Sequence, residues 1–167
     1  YTPDTHACGL CVIAMGKLGG RELNFSSDID LVFIYEAEGQ TTGNLPDGRK
    51  APVQNNHVFF TRMCENLVNF LSERGEEGNL FRVDMRLRPE GKAGPLVRSL
   101  ESFSNYLTQQ ARDWERLAYL KARVMTGDAK GATGYVTGKH GGIEHVIVHF
   151  GGETRQLMNL EDKVLVE

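Results

Sequence analysis

Two aspartates, Asp28 and Asp30, stand at the start of a long apolar stretch that ends at Tyr35. The stretch 29–35 is rich in β-branched and aromatic residues and predicts a buried strand. On an extended chain, side chains two positions apart leave the same face of the strand. The two carboxylates therefore lie side by side while Ile29 enters the core. The fold has to hold two like charges at one end of a buried strand.

Adjacent carboxylates repel each other unless a cation lies between them. Mg²⁺ suits such a site because it takes oxygen ligands and usually combines one or two carboxylates with substrate phosphates. A third carboxylate, Asp84, lies on another predicted strand and would allow two ions to bind, as in phosphoryl-type displacements. An isolated D-x-D pair is more often the solvated end of a strand. The prediction of catalytic, metal-binding carboxylates at Asp28, Asp30 and Asp84 therefore depends on their combination.

A glycine-rich turn precedes the aspartate pair. Such turns allow backbone N–H groups to approach a diphosphate or triphosphate. The candidate nucleotide-binding residues on this side are Gly16, Lys17, Gly19, Gly20 and Ser27. A glycine turn alone is weak evidence for nucleotide binding, and this prediction depends on the carboxylates that follow the turn.

Residues 80–88 alternate between apolar and charged side chains, which predicts a strand with one buried face. Arg82, Arg86 and Arg88 share the charged face with Asp84. Guanidinium groups bind phosphate oxygens well, so Arg86 and Arg88 are candidate phosphate-binding residues. The same alternation is also expected of a solvent-facing strand in a half-exposed sheet.

The rest of the chain predicts further strands and helices. Residues 9–15 predict a second buried strand, and residues 36–55 a long polar loop. Residues 57–73 predict an amphipathic helix with Cys64 buried. Its apolar face is predicted to comprise Phe59, Met63, Leu67, Phe70 and Leu71.

A second helical region is predicted over residues 99–123. Ser99 is the expected N-cap, and the helix is expected to be interrupted near Gln110. Trp114, Leu117 and Tyr119 are predicted to pack in the core.

Composition excludes several classes of protein. The chain has 167 residues, of which 40% are hydrophobic and 25% charged, so it has material for one folded domain. Its net charge of −3 gives no basic excess for binding nucleic acid or an anionic membrane surface. No apolar run is long enough to span a bilayer. Three cysteines without a secretory signal fit the cytoplasm, and a start at Tyr1 predicts a fragment of a longer protein.

The composition changes near residue 128. Eight of the 19 glycines lie between Gly127 and Gly152, and three of the five histidines lie between His140 and His149. Two short β-type runs follow, over residues 143–150 and 163–166. We therefore predict one domain over residues 1–128 and a Gly/His-rich β-type tail over residues 129–167.

Three segments of the first domain resemble a known family. Residues 16–30 read GKLGGRELNFSSDID, residues 81–89 read FRVDMRLRP, and residues 112–116 read RDWER. Together they resemble the bifunctional glutamine synthetase adenylyltransferase/adenylyl-removing enzymes, within the nucleotidyltransferase superfamily, over about residues 11–128. Lys17 stands where that superfamily usually has serine. The tail does not match this family.

The resemblance implies a fold and a reaction. The fold is an α/β (α+β) nucleotidyltransferase fold, a small mixed β-sheet with helices packed on one side. One half of these enzymes removes AMP from a tyrosine of glutamine synthetase by phosphorolysis, which releases ADP, and the other half adds AMP from ATP. The sequences of residues 22–30 and 112–116 are most similar to those of the N-terminal, adenylyl-removing half. The alternatives are the adenylylation reaction, or a truncated domain that binds nucleotide or partner with little activity alone.

The resemblance also implies cofactors and partners. Asp28, Asp30 and Asp84 correspond to Mg²⁺ ligands, and the turn at residues 16–20 corresponds to a nucleotide-binding turn. ATP or ADP and inorganic phosphate are the expected substrates or products. The expected partners are glutamine synthetase and, for the full-length enzyme, a PII-type signal protein, with no nucleic acid and no membrane.

Overall fold

The computed structural model describes residues 8–44, 47–75, 78–79, 81–125, 135–139, 142–150 and 153–159. Residues 8–125 contain a mixed sheet with helices, so the predicted α/β class is confirmed. The strands of this part are β1 (Leu10–Met15), β2 (Asp28–Tyr35), β3 (Arg74–Gly75), β4 (Gly78–Asn79), β5 (Arg82–Asp84), β6 (Val97–Ser99) and β7 (Arg123–Val124). The helices are α1 (Gly16–Gly19), α2 (Asn56–Ser72), α3 (Leu100–Gln109) and α4 (Asp113–Ala118), with 3₁₀ turns at Gly91–Ala93 and Tyr119–Lys121.

Strand β2 is the centre of the sheet. It pairs antiparallel with β1 on one side. On the other side it pairs in parallel with β5 along its first half and with β6 along its second half. Strand β7 adds to the far side of β1, while β3 and β4 form a separate two-stranded hairpin. The parallel pair β2–β5 places the start of β2 beside Asp84.

Helices cover both faces of this sheet. The residues of β2 from Leu31 to Tyr35 are all buried, as expected for a strand with apolar neighbours above and below. Phe103 and Leu107 of α3 pack on one face, and Phe60 and Cys64 of α2 pack on the other. The prediction that helices lie on one side only is therefore wrong, because the apolar run of β2 needs cover on both.

Helix α2 is confirmed, but the apolar face predicted for it is only partly right. Asn55 caps the helix by accepting a 2.7 Å hydrogen bond from the His57 N–H. Phe60 and Cys64 are buried, and Phe60 stacks on Tyr35 at 5.3 Å between ring centroids. Leu67 and Leu71 pack against this core as predicted. Phe59, Met63 and Phe70 are exposed, because the buried face is centred one residue further along the helix.

Strand β5 is shorter than the predicted strand over residues 80–88. The Asp84 carboxylate accepts a 2.8 Å hydrogen bond from the N–H of Arg86, which turns the chain away from β2. The N–H of Arg88 then bonds the carbonyl of Met85 at 3.4 Å, and the N–H of Gly91 bonds the carbonyl of Arg88 at 2.8 Å. Arg86 and Arg88 therefore lie in a turn and not on a strand face.

The second helical region is interrupted as predicted. Ser99 caps α3 by accepting a 3.3 Å hydrogen bond from the Ser102 N–H, and α3 ends before Gln110. Tyr119 is buried, as expected. Trp114 and Leu117 are 57% and 52% exposed, so their prediction as core residues is wrong. Helix α4 has six residues and no buried one, and it is too short to present a core face.

A three-stranded antiparallel sheet lies beyond residue 134. Its strands are β8 (Tyr135–Lys139), β9 (Gly142–Phe150) and β10 (Glu153–Asn159), in the order β10–β9–β8. Strand β9 matches the predicted run over residues 143–150. The predicted strand over 163–166 and the boundary after 128 lie outside the described residues. Within the described part of the chain, no helix is both long and apolar enough to cross a membrane.

Candidate active site

A cavity of about 370 Å³ opens beside β5 and the turn that follows it. Its wall combines two carboxylates, three guanidinium groups and one ammonium group with two apolar side chains. The lining residues are Asp28, Arg82, Val83, Asp84, Met85, Arg86, Arg88 and Lys92. Five of these six charged residues, all except Lys92, are among those that the sequence patterns indicated.

The parallel register of β2 and β5 brings the three predicted carboxylates to one sheet edge. Asp30 is the direct partner of Asp84, and Asp28 is the partner of Arg82. Neighbouring strands lie about 4.8 Å apart, so the Asp30 and Asp84 side chains start side by side. Burial raises the pKa of the Asp30 carboxyl, and the charges of Asp84 and Asp28 raise that pKa further.

Arginines neutralise two of these carboxylates. Arg86 Nε donates to Asp84 Oδ2 at 2.6 Å, and this bond keeps the pKa of Asp84 below its usual range. Arg82 Nε lies 2.5 Å from Asp28 Oδ1 as an ion pair. The pair lacks hydrogen-bond alignment, so Asp28 Oδ1 is a buried oxygen without a hydrogen-bond donor. Asp30 has no arginine partner of its own within the part of the chain that is described.

The donor set fits a hard cation. Three carboxylates with one undonated buried oxygen supply the ligand chemistry that Mg²⁺ prefers. Among the described residues, however, no three His, Cys, Asp or Glu side chains converge as a ready-made metal site. Two of these carboxylates, Asp28 and Asp84, form ion pairs with Arg82 and Arg86.

The glycine turn borders the carboxylates through one of its residues. Residues 16–19 form the single helical turn α1, which follows β1 directly. Gly16 has a φ of +52°, and a Cβ there would lie 2.8 Å from Asp30 Oδ2. A side chain at this position would therefore collide with the carboxylate, and only glycine allows the close approach.

The other residues of the turn have different surroundings. Gly19 is buried, and a Cβ there would lie 2.0 Å from the carbonyl oxygen of Lys121. Gly19 therefore allows backbone packing. Lys17 is exposed, and Gly20 is half-buried. Ser27 Oγ accepts a 3.3 Å hydrogen bond from the Asn24 N–H and holds the loop that enters β2. The lining of the cavity includes none of the residues Lys17, Gly19, Gly20 and Ser27.

Arg88 reaches the cavity, but its donors are engaged by the backbone. Its Nη1 donates to the carbonyl of Met85 at 2.9 Å. Its Nη2 lies 3.3 Å from the carbonyl of Gly94 and 3.4 Å from that of Lys92. Burial lowers the pKa of Arg88. The guanidinium thus ties together the two ends of the turn over residues 85–94.

Sequence reasoning missed Lys92. It lies on the 3₁₀ turn Gly91–Ala93 and lines the cavity, and its charge contributes to lowering the pKa of Asp84. The sequence offers only one indication of this residue, a lysine between Gly91 and Gly94, eight positions after Asp84. The alternation of apolar and charged residues ends before Pro89, so it did not indicate that Lys92 belongs to the site.

The RDWER segment anchors the same turn from the opposite side. Tyr106 Oη donates to Glu115 Oε1 at 2.5 Å and accepts a 3.2 Å hydrogen bond from the N–H of Glu90. Glu90 also pairs with Arg98, whose guanidinium lies 5.3 Å from the centroid of the Tyr106 ring. Arg116 bonds Asp113 at 3.1 Å and the carbonyl of Leu107 at 2.9 Å.

The sequence matches two protein-family models. A family model described as glutamate-ammonia ligase adenylyltransferase matches residues 2–135, a range that contains all three sequence segments. A second model, described as the N-terminal part of a domain of unknown function (DUF4438), matches residues 115–167.

Three curated proteins illustrate the similarity, and each is named a bifunctional glutamine synthetase adenylyltransferase/adenylyl-removing enzyme. The protein of Burkholderia mallei is 51% identical over 130 residues, which is 78% of this chain and 14% of the relative. That of Nitrosococcus oceani is 51% identical over 124 residues, or 74% of this chain and 12% of the relative. That of Chromobacterium violaceum is 52% identical over 122 residues, or 73% and 13%. The chain therefore spans about one seventh or less of the length of these relatives.

Proposed function

Because the chain belongs to the glutamate-ammonia ligase adenylyltransferase family, we propose that it is a nucleotidyltransferase domain that acts on adenylylated glutamine synthetase. The proposed reaction removes AMP from a tyrosine of that enzyme with inorganic phosphate and releases ADP. The names of the relatives, which combine adenylyl transfer with adenylyl removal, support this class of reaction but not its direction. We assign the domain to residues 1–128 and treat residues 129–167 as a separate β-rich tail.

The observation that carries the proposal is the meeting of Asp28, Asp30 and Asp84 at one sheet edge beside a cavity rich in cationic side chains. Carboxylates next to arginines and a lysine suit a reaction in which a metal ion and phosphate groups share one site. A purely structural ion-pair network would leave no reason for Asp30 to face Asp84 without an arginine of its own.

We assign Asp28, Asp30 and Asp84 as the Mg²⁺ ligands of this site. Bound there, Mg²⁺ would neutralise charge on phosphoryl oxygens and favour displacement at phosphorus. Mg²⁺ would compete with Arg82 and Arg86 for Asp28 and Asp84. A guanidinium that the ion displaced would be available to the adenylyl phosphate. The turn over residues 16–20 is assigned to the nucleotide, with Gly16 beside Asp30.

The proposed reaction exchanges one bond at the adenylyl phosphorus for another. A phosphate oxygen forms a bond to the adenylyl phosphorus, and the bond from that phosphorus to the tyrosine oxygen breaks. The electron pair leaves with the tyrosine oxygen, which takes up the proton that the attacking hydrogen phosphate gives up and becomes a phenol. The attacking phosphate becomes the β-phosphate of ADP.

The direction of the reaction rests on two sequence segments. Residues 22–30 and 112–116 are most similar to the adenylyl-removing half of the family. Addition of AMP from ATP is the alternative, and the two reactions differ in their products. Control by a PII-type signal protein is part of the same proposal for the full-length enzyme.

The test is an incubation of the chain with adenylylated glutamine synthetase, Mg²⁺ and phosphate, followed by measurement of ADP. We expect ADP that requires metal and is abolished in D28N and D30N. The matched control is D47N, because Asp47 lies in an exposed loop and pairs with Arg49. Pyrophosphate released from ATP would indicate adenylylation instead. Metal-dependent nucleotide binding without either product would reduce the proposal to a binding domain, and undiminished ADP formation in D30N would refute the metal assignment.

A further inference from the structure

We propose that Lys92 binds the inorganic phosphate that attacks the adenylyl group, and that Arg88 is a positioning residue that fixes the turn carrying Lys92. This inference rests on the proposed phosphorolysis and adds a phosphate-specific residue to it. It also separates the roles of two cations that line the same cavity wall.

Lys92 is the cation of the cavity that keeps its donors for a ligand. Arg82 is paired with Asp28, and Arg86 with Asp84. Arg88 donates to three backbone carbonyls. Within the described ranges, the Lys92 ammonium has neither a hydrogen-bond acceptor nor a carboxylate partner. A lysine with three free donors at a cavity wall offers a compact point charge to a small anion.

The charge of the cavity wall favours a dianion. Four cationic side chains and two carboxylates line it, so the wall has an excess of positive charge. Because Arg82 and Arg86 pair with the two carboxylates, the charges of Arg88 and Lys92 remain to attract an anion. Phosphate at neutral pH carries between one and two negative charges, and a cavity of about 370 Å³ is large enough to hold it.

Lys92 and the assigned nucleotide turn reach the carboxylates from different strands. Lys92 follows β5 on one side of β2, and α1 follows β1 on the other side. With the nucleotide assigned to α1, an anion on Lys92 approaches the carboxylates from the β5 edge. The attacking and leaving oxygens of a displacement at phosphorus lie roughly in line, so an approach from outside the nucleotide-binding turn is appropriate.

The turn that carries Lys92 is held at both ends. Arg88 joins the carbonyls of Met85, Lys92 and Gly94. A Cβ at Gly94 would lie 2.2 Å from the carbonyl oxygen of Pro89, so the turn closes tightly there. Glu90 is anchored to Tyr106 and Arg98. Because these contacts fix the backbone of residues 85–94, the Lys92 side chain starts from a defined point.

The first experiment measures phosphate and AMP binding to the full chain by calorimetry in the presence of Mg²⁺. We expect K92M to weaken phosphate binding at least tenfold and to change AMP binding by less than twofold. K92R, which keeps the charge, should retain most of the phosphate affinity. K50M is the matched control, because Lys50 lies in the loop after β2 and bonds Asn44 away from the cavity.

The second experiment tests the positioning role. R88K keeps the positive charge but cannot join three carbonyls, so it should raise the KM for phosphate while AMP affinity stays within twofold. Faster hydrogen exchange is expected at the amides of residues 85–94. Equal loss of AMP and phosphate binding in a folded R88K protein would overturn this role.

The outcomes separate this inference from the proposed function. Phosphate binding that is lost in K92M, in a chain that forms no ADP, would support the anion site and refute the phosphorolysis. ADP formation with an unchanged KM for phosphate in K92M would leave the reaction standing and overturn the inference. Absence of phosphate binding to the unsubstituted chain would also overturn it.

Discussion

Asp30 and Asp84 are direct partners in the parallel register of β2 and β5. Like charges opposite each other destabilise a sheet unless a counter-charge is near. Arg86 hydrogen-bonds Asp84 through its Nε and its backbone N–H, whereas its charge lowers the pKa of Asp30 less than burial and the neighbouring carboxylates raise it. The pKa values of the two aspartates are therefore shifted in opposite directions. The fold disfavours the charged form of Asp30 and favours the charged form of Asp84.

The first prediction compares D30N with D84N in metal-free protein. At pH 7, D30N should leave the melting temperature unchanged or higher, because it removes a buried carboxylate that neighbouring charges disfavour. D84N should cost about 1 kcal/mol, because it loses a charge-assisted hydrogen bond to Arg86. Thermal unfolding in the presence of EDTA measures both effects.

The pH dependence of these variants follows from the pKa directions. The raised pKa of Asp30 means that the folded state holds its proton more tightly, so stability falls as pH rises above the usual value of 3.8. The lowered pKa of Asp84 contributes stability above that value, which is lost as pH falls further. Both variants should therefore approach the unsubstituted protein in acid. A destabilised D30N at pH 7 would contradict this account.

The second prediction concerns Gly19. A Cβ at this position would lie 2.0 Å from the Lys121 carbonyl oxygen and 2.5 Å from that of Ala14, and both are backbone atoms that side-chain motion cannot relieve. G19A should therefore destabilise the protein by about 2 to 3 kcal/mol. The control is G20A, whose Cβ would meet the flexible end of Lys121 at 3.3 Å at a φ of −73°. Urea unfolding of the two variants should separate them clearly, and equal stabilities would refute the packing role.

The third prediction tests the link between the RDWER segment and the turn over residues 85–94. Y106F removes the hydroxyl that joins Glu115 to the N–H of Glu90, and it should cost about 1 to 2 kcal/mol. Y119F is the control, because the buried Tyr119 hydroxyl has no hydrogen-bond partner among the described residues and its loss should cost almost nothing. Chemical unfolding reports the stabilities. If Y119F were the more damaging change, the network would not be what holds this turn.

Sequence patterns predicted the strands and helices well where one residue type dominates. The apolar run of β2 and the capping residue Ser99 depend on local chemistry, and both were placed correctly. The period of two places Asp28 and Asp30 on one face of β2 as expected, and the parallel register, which no pattern indicated, sets Asp84 opposite Asp30. Their role as metal ligands stays a prediction.

The parts that failed depend on long-range contacts. Phe59 and Cys64 lie on neighbouring stripes of α2, and packing against the sheet, which includes the stacking of Phe60 on Tyr35, decides which stripe is buried. The end of β5 is set by the Asp84 side chain, which competes with the ladder for the Arg86 N–H. Lys92 reaches the cavity because Arg88 folds the turn back, and no periodicity marks such a fold.

The fourth prediction concerns the cysteines. Burial raises the pKa of the Cys11 and Cys64 thiols to about 12, whereas Cys8 is half-buried near the chain surface. Thiolates are the reactive form, so at pH 8 one thiol should react rapidly with Ellman's reagent and the other two only after unfolding. C8S should remove the fast phase. A second fast thiol in the folded protein would show that the core around α2 or β1 opens readily.

The last prediction concerns the competition between Arg86 and a metal ion. Arg86 bonds Asp84 while Asp30 faces the same carboxylate, so an ion that binds both aspartates must displace the guanidinium. R86Q removes the competitor, and we expect it to bind Mn²⁺, as an observable substitute for Mg²⁺, several-fold more tightly. Electron paramagnetic resonance of free Mn²⁺ measures this without any need for turnover. R49Q is the control, because Arg49 pairs with Asp47 in an exposed loop. Unchanged or weaker Mn²⁺ binding in R86Q would mean that Arg86 does not compete with the ion, and that the three carboxylates need another explanation.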